Sequence, residues 1–157
     1  MPKQTVFESK RGVSRVEVRE GYSQVLFSGL PEPLVASRVA VLEVIAQAGV
    51  SIDFLKLTQS GLSFLVPEAK SEEVEAAIRS IGYRYEVLQH RAIVLAHAVN
   101  MRDEEGLIAR IVGTAIRCGV QIDHIGDMHD RVLMVVSDFD VPRLQEAIAP
   151  IAAGGRP

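Results

Sequence analysis

The sequence predicts an α+β chain built from two copies of a single βαββαβ unit, and three observations carry that prediction. AGVSID at positions 48 to 53 returns as CGVQID at 118 to 123, seventy positions on. At the same spacing Leu62, Phe64, Leu65 and Val66 recur as Val132, Met134, Val135 and Val136, and Val74, Ala77 and Ile78 recur as Leu144, Ala147 and Ile148. Strand-like and helix-like runs also follow one another in the same order in both halves. A copied unit that keeps its apolar positions in register keeps one core built twice.

The first copy opens with Ser23 to Leu30, a run of β-branched, aromatic and aliphatic residues broken by Pro31-Glu32-Pro33. Val35, Val39, Leu42, Ile45 and Ala46 then recur every three or four positions within Leu34 to Ala48, which predicts a helix burying that face and ending at Gly49. Ser51 to Gln59 and Leu62 to Val66 read as two strands around a Ser60-Gly61 turn, closed by Pro67. A second helix is expected from Ser71, with Ser71 as N-cap, acidic residues in its first turn and Val74, Ala77, Ile78 and Ile81 facing inward. Gly82 ends it, and Tyr83 to His90 is the fourth strand.

The second copy repeats the order as Ala92 to Val99 (strand), Glu105 to Arg117 (helix), Gln121 to Asp127 and Arg131 to Ser137 (strands), and Val141 to Ala152 (helix), then stops without a fourth strand. Val13 to Arg19 alternates apolar and polar residues, so it has one apolar face that needs a sheet to cover it. The expected division is an N-terminal extension with an extra strand at 1–20, a first domain at 21–90, a second at 91–153 lacking its own last strand, and a tail at 154–157. Pattern alone does not fix which sheet the extra strand joins.

Composition excludes several classes of function. With 157 residues, 48% hydrophobic and 24% charged, the chain is long enough for one ordinary domain or two small ones, and the repeat selects the second. A net charge of −3 without a long basic run disfavours nucleic acid as a partner. The longest apolar run, Ile93 to Val99, is interrupted by His97 and falls far short of the roughly twenty residues of a membrane span. Met1-Pro2-Lys3-Gln4 carries no apolar signal region, so a cytoplasmic location is the expectation. The single cysteine, Cys118, matches Ala48 in the other copy and reads as a small apolar residue at a helix end. We find no nucleophile with its base, no paired carboxylates in an apolar setting and no glycine-rich phosphate loop, so neither catalytic residues nor a cofactor are expected.

A βαββαβ unit of this length, with an apolar-x-Gly-apolar-x-Ile-Asp passage from first helix to second strand, resembles the ferredoxin-like ACT domain. Leu62-Ser63-Phe64-Leu65-Val66-Pro67, Asn100-Met101-Arg102 with Gly106, Ala109 and Arg110, and Gly12-Val13-Ser14 together resemble the tandem ACT pair at the C-terminal end of aspartate kinases. That resemblance implies antiparallel sheets with helices on one face, no catalytic domain, and binding of a small amino acid, lysine or threonine, at interfaces between ACT units. A homodimer or a hetero-oligomer with a kinase subunit is the partner it implies. The chain also departs from the pattern. The family's first loop usually reads Pro-Asp-x-Pro-Gly, whereas Pro31-Glu32-Pro33-Leu34-Val35 has no glycine, and the second loop keeps Gly106 but has Glu105 in place of proline. Effector-touching polar positions correspond to Ser51, Gln121 and the apolar Leu57.

The beginning of a helix presents unpaired N–H groups and the positive end of the helix dipole, an anion site that suits an amino-acid carboxylate. Candidate ligand residues are therefore the loop–helix junctions Leu34, Val35, Glu105, Gly106 and Leu107. The starts of the second strands add Ser51, Ile52, Asp53, Gln121, Ile122 and Asp123, where a carboxylate could accept from the ligand's ammonium. Asp53 and Asp123 can equally be exposed strand-end residues repeated by the duplication. Two other readings stand beside this one. A docking subunit that has lost its ligand accords with the missing glycine and Leu57. A metal-responsive regulator would use Asp123, His124, Asp127, His129 and Asp130, although these lack a strong ligand spacing and Met128 to Asp130 match the hairpin turn of the first copy.

Overall fold

The computed structural model describes residues 12–99, 101 and 105–151; Asn100 and Arg102 of the loop motif, the tail 154–157 and the end of the last predicted helix lie outside them. In chain order the elements are β1 (Val13–Phe27), α1 (Leu34–Gln47), β2 (Asp53–Leu57), β3 (Leu62–Pro67), α2 (Ser71–Arg79), β4 (Tyr85–Ala98), α3 (Leu107–Arg117), β5 (His124–Asp127), β6 (Arg131–Ser137) and α4 (Val141–Ile148). Short 3-10 turns, Glu68–Lys70 and Asp138–Asp140, precede α2 and α4 at equivalent places in the two copies. The chain divides into two compact units, one being Gly21–Arg91 and the other joining residues 12–20 to 92–151.

In the first unit the strand order is β2-β3-β1-β4. β1 and β3 run antiparallel with Val25 opposite Phe64 and Phe27 opposite Leu62, and β2 pairs antiparallel with the other side of β3. Val25, Phe27, Leu62, Phe64 and Val66 form one buried layer with Val41 and Ile45 of α1 and Val74 and Ile78 of α2. Phe27 lies between two rings, 6.4 Å from that of Phe64 and 6.0 Å from that of Tyr85, a spacing at which aromatic pairs attract.

The buried face of α1 is not the one its periodicity suggests. Ser37, Val41 and Ile45 are buried, whereas Val35 and Val39 are 72% and 46% exposed and Ala46 is exposed as well. The helix is apolar on nearly every side, so spacing alone does not choose a face. A buried serine is tolerable because the Ser37 hydroxyl donates to the Pro31 carbonyl at 2.5 Å. Ser71 also differs from expectation. It is the first residue of α2 rather than its cap, and its hydroxyl donates to the Ser23 hydroxyl at 2.6 Å inside the core.

In the second unit the order is β1-β4-β6-β5. The strand missing from the second copy is supplied by the N-terminal part of β1, whose Val13, Val16 and Val18 pack against the core of Val94, Ala96, Leu107, Ile111, Val132, Met134, Val136, Leu144 and Ile148. The backbone N–H of Val13 donates to the carbonyl of Ile151, and the Ser14 hydroxyl donates to that of His97. The two strand pairs expected at 13–19 with 23–30 and 83–90 with 92–99 are thus continuous strands, each serving both units. His90, in β4, has φ 57° and its Nδ1 lies 2.8 Å from the Glu68 carboxylate.

Candidate ligand sites

In the first unit the loop after β1 is fastened to the β2–β3 turn. Leu30 N–H donates to the Ser60 carbonyl at 2.9 Å, Gly29 N–H to the Ser60 hydroxyl at 3.2 Å, and the Arg38 guanidinium to the carbonyls of Thr58 and Gly61 at 2.5 and 3.1 Å. Gly61 is required here, since a Cβ on it would stand 1.8 Å from the Phe27 carbonyl oxygen. The N-terminus of α1 is already served by the chain itself: the Glu32 carboxylate accepts from Leu34 N–H at 3.2 Å. An internal anion therefore stands where a ligand carboxylate would be held.

The equivalent junction of the second unit is different. Gly106 precedes α3 with φ 77°, a left-handed conformation that glycine adopts without a Cβ penalty, and Glu105 and Gly106 are exposed. Leu107 is fully buried and belongs to the core. Leu34, partly buried, packs against the first core, while Val35 stands in solvent.

The strand-start residues lie elsewhere. In the first unit Leu62 is level with both Phe27 and Leu57, so the β1–α1 loop and the β2–β3 turn share one end of the sheet. Asp53 pairs with Leu65, three residues along β3, and Ser51 precedes it toward the other end, about 10 Å or more away at the rise of a strand. In the second unit Ala98 N–H donates to the Asp130 carbonyl beside the hairpin turn, whereas Asp123 N–H donates to Val135 at the far end. The expectation that Ser51, Asp53, Gln121 and Asp123 sit close to the loops is corrected within each unit. A helix between parallel strands carries the chain back across the sheet, so the second strand starts at the end opposite to the loop. Ser51, Asp53 and Gln121 are exposed, and Ile52 and Ile122 pack against the edges of their cores.

One open cleft of about 400 Å³ lies in the second unit, lined by Ser14, Arg15, His97, Ala98, Val99, His129 and Asp130. Of these, His129 and Asp130 stood in the sequence only as candidate metal ligands, and none stood as an amino-acid ligand, because the cleft needs the N-terminal strand beside β4. His97 is 8% exposed and its Nε2–H donates to Glu17 Oε1 at 3.1 Å. Glu17 also accepts from Arg19 at 2.7 Å; Arg19 and then His97 hold its carboxyl below the usual carboxylate range. Arg131 does the same for Asp130, donating to it at 3.1 Å. Among the described residues no three His, Cys, Asp or Glu side chains come together to hold a metal, and no helix is long and apolar enough to cross a membrane.

No protein-family model matches the chain. Aspartokinase 1 of Bacillus subtilis strain 168 is 26% identical over 101 residues, which are 64% of this chain and 25% of that protein, so the chain spans a quarter of the length of the curated relative it matches. The ligand-free regulatory subunit of aspartate kinase from Thermus thermophilus superposes with a TM-score of 0.78 at 17% identity, over 88% of this chain and 97% of that one. Aspartokinase III of E. coli in complex with lysine and aspartate, in its T-state, superposes with a TM-score of 0.66 at 12% identity, over 90% of this chain and 33% of that one. With its duplicated βαββαβ units and its overlap with a regulatory subunit over most of both chains, the chain resembles the tandem ACT-type regulatory region of aspartate kinases and has its fold.

Proposed function

We propose that the chain is a non-catalytic regulatory module that binds a small amino acid, lysine or threonine, and conveys its occupancy to an aspartate kinase catalytic chain. The observation that carries this reading is the mutual coverage with the T. thermophilus regulatory subunit, 88% of this chain and 97% of the other. A regulatory signal needs different ligand affinity in two arrangements, since equal affinity shifts no equilibrium. The second unit is the better ligand holder, because Gly106 leaves its helix start accessible while Glu32 fills that of the first. Ser51 to Asp53 and Gln121 to Asp123 lie at the end of the sheet opposite the loop of their own unit, so they would reach a loop-bound ligand from another ACT unit, within the chain or in a second chain. Equilibrium dialysis against labelled lysine and threonine tests the reading: saturable uptake of either supports it, and uptake of neither at millimolar concentration contradicts it.

A docking subunit without a ligand is the second reading, and one observation favours it, the Glu32 carboxylate at the N-terminus of α1. It predicts retention of an aspartate kinase catalytic chain on the immobilised protein, with the amount retained independent of added amino acid.

A further inference from the structure

We propose that the hydrogen bond between His90 and Glu68 is a brace on a two-stranded hinge, and that its release frees the place where the chain passes from one unit to the other. The inference needs no ligand and goes beyond the proposed function. The divisions of the chain, between Glu20 and Gly21 and between Arg91 and Ala92, fall inside β1 and β4, so these two strands are the covalent links between the units. Each contains one residue in the left-handed region, at or beside its crossing: Gly21 has φ 85° and His90 has φ 57°. A hinge is a small number of positions that absorb a change in φ and ψ.

The two crossings are built differently. Glycine adopts positive and negative φ with similar ease, and a Cβ on Gly21 would meet nothing within 4 Å, so the need for glycine there is conformational. Histidine lacks that freedom, and a left-handed residue with a side chain persists only where its surroundings hold it. Glu68 holds His90: Nδ1–H donates to the carboxylate at 2.8 Å, and next along the chain the Arg91 Nε–H donates to the Gln89 carbonyl at 3.0 Å. Glu68 is placed to serve both crossings. It follows Pro67, which pairs with Tyr22, the residue after Gly21, so a single 3-10 turn grips β4 and lies level with the glycine of β1. All of these residues belong to the first unit. The His90 and Glu68 side chains are 66% and 37% exposed, so water can take the place of either partner while the fold stays intact. Once the bond opens, backbone preference draws His90 out of the left-handed region, and Gly21 offers no resistance.

The test is double electron–electron resonance on the full chain, with spin labels at Ala76→Cys and Glu146→Cys in a Cys118→Ser background. The labelled positions are exposed, matched by the repeat, and lie one in each unit. Thermal melting first confirms that every variant is folded. With the brace intact, the distance between the labels gives one narrow peak. Glu68→Ala and, separately, His90→Gly are expected to double the width of that peak or to add a second one. Combining them is expected to add nothing further, since both remove the same bond. Glu73→Ala is the control, because it removes an ion pair with Lys70 from the same stretch without touching His90, and its peak should match that of the wild type. An unchanged peak in either Glu68→Ala or His90→Gly would overturn the brace. Equal broadening in Glu73→Ala would overturn it too, by tracing the effect to the turn as a whole.

Discussion

Gly61 meets the Phe27 backbone so closely that even one added carbon has no room. Backbone atoms cannot swing aside as a side chain can, so Gly61→Ala is expected to cost about 1–3 kcal/mol, read as a lower midpoint in denaturant unfolding. Glu17 gives a prediction in pH. A carboxylate whose pKa falls on folding binds its proton more weakly in the native state, so its stabilisation is full above about pH 4.3 and is lost as pH drops through the lower folded value. Glu17→Gln should therefore melt below wild type at pH 7, and the difference should close as the pH is taken toward 3. A constant difference across that range would show that Arg19 and His97 do not set the charge state of Glu17. His97 is not legible in the sequence as a partner, because it lies eighty positions from Glu17 and only strand pairing brings them together.

Among the elements, α1 shows both the reach of pattern reading and where it stops. Its extent was legible and its face was not, since valine and alanine lie on every side. The duplication held the answer: Leu107, Ile111 and Ala115, buried in α3, stand seventy positions after the buried Ser37, Val41 and Ile45. Ile45→Ala should cost about 2–5 kcal/mol and Val39→Ala less than about 0.5 kcal/mol in thermal unfolding, which reads the helix face directly. The N-terminal strand is the other informative element. Alternation identified it, but its sheet follows from long-range pairing that local pattern cannot encode. Removing residues 1–20 takes the first strand from the order β1-β4-β6-β5 and leaves β4 with an unpaired edge in the second unit. Hydrogen exchange should then accelerate in β6 and the end of β4 while β3 keeps its protection.

At the scale of the whole molecule, one repeated pattern appears as two units whose loop ends have diverged. The first has a carboxylate of its own at the helix start and a loop tied to Ser60 and Arg38; the second has Gly106 and a charged cleft built from three segments. The repeat, the loops and the strand starts were legible from residue order, whereas the separation of loop and strand start across each sheet emerges only from the register. The measurement that tests the central claim most directly is thermal unfolding of the full chain, alone and with each of the twenty amino acids at millimolar concentration. A ligand at a hundred times its Kd adds about 2.7 kcal/mol, or roughly 5–10 °C in Tm for a chain of this size. The account predicts a selective rise of that order with lysine or threonine, and an unchanged Tm with all twenty would contradict it.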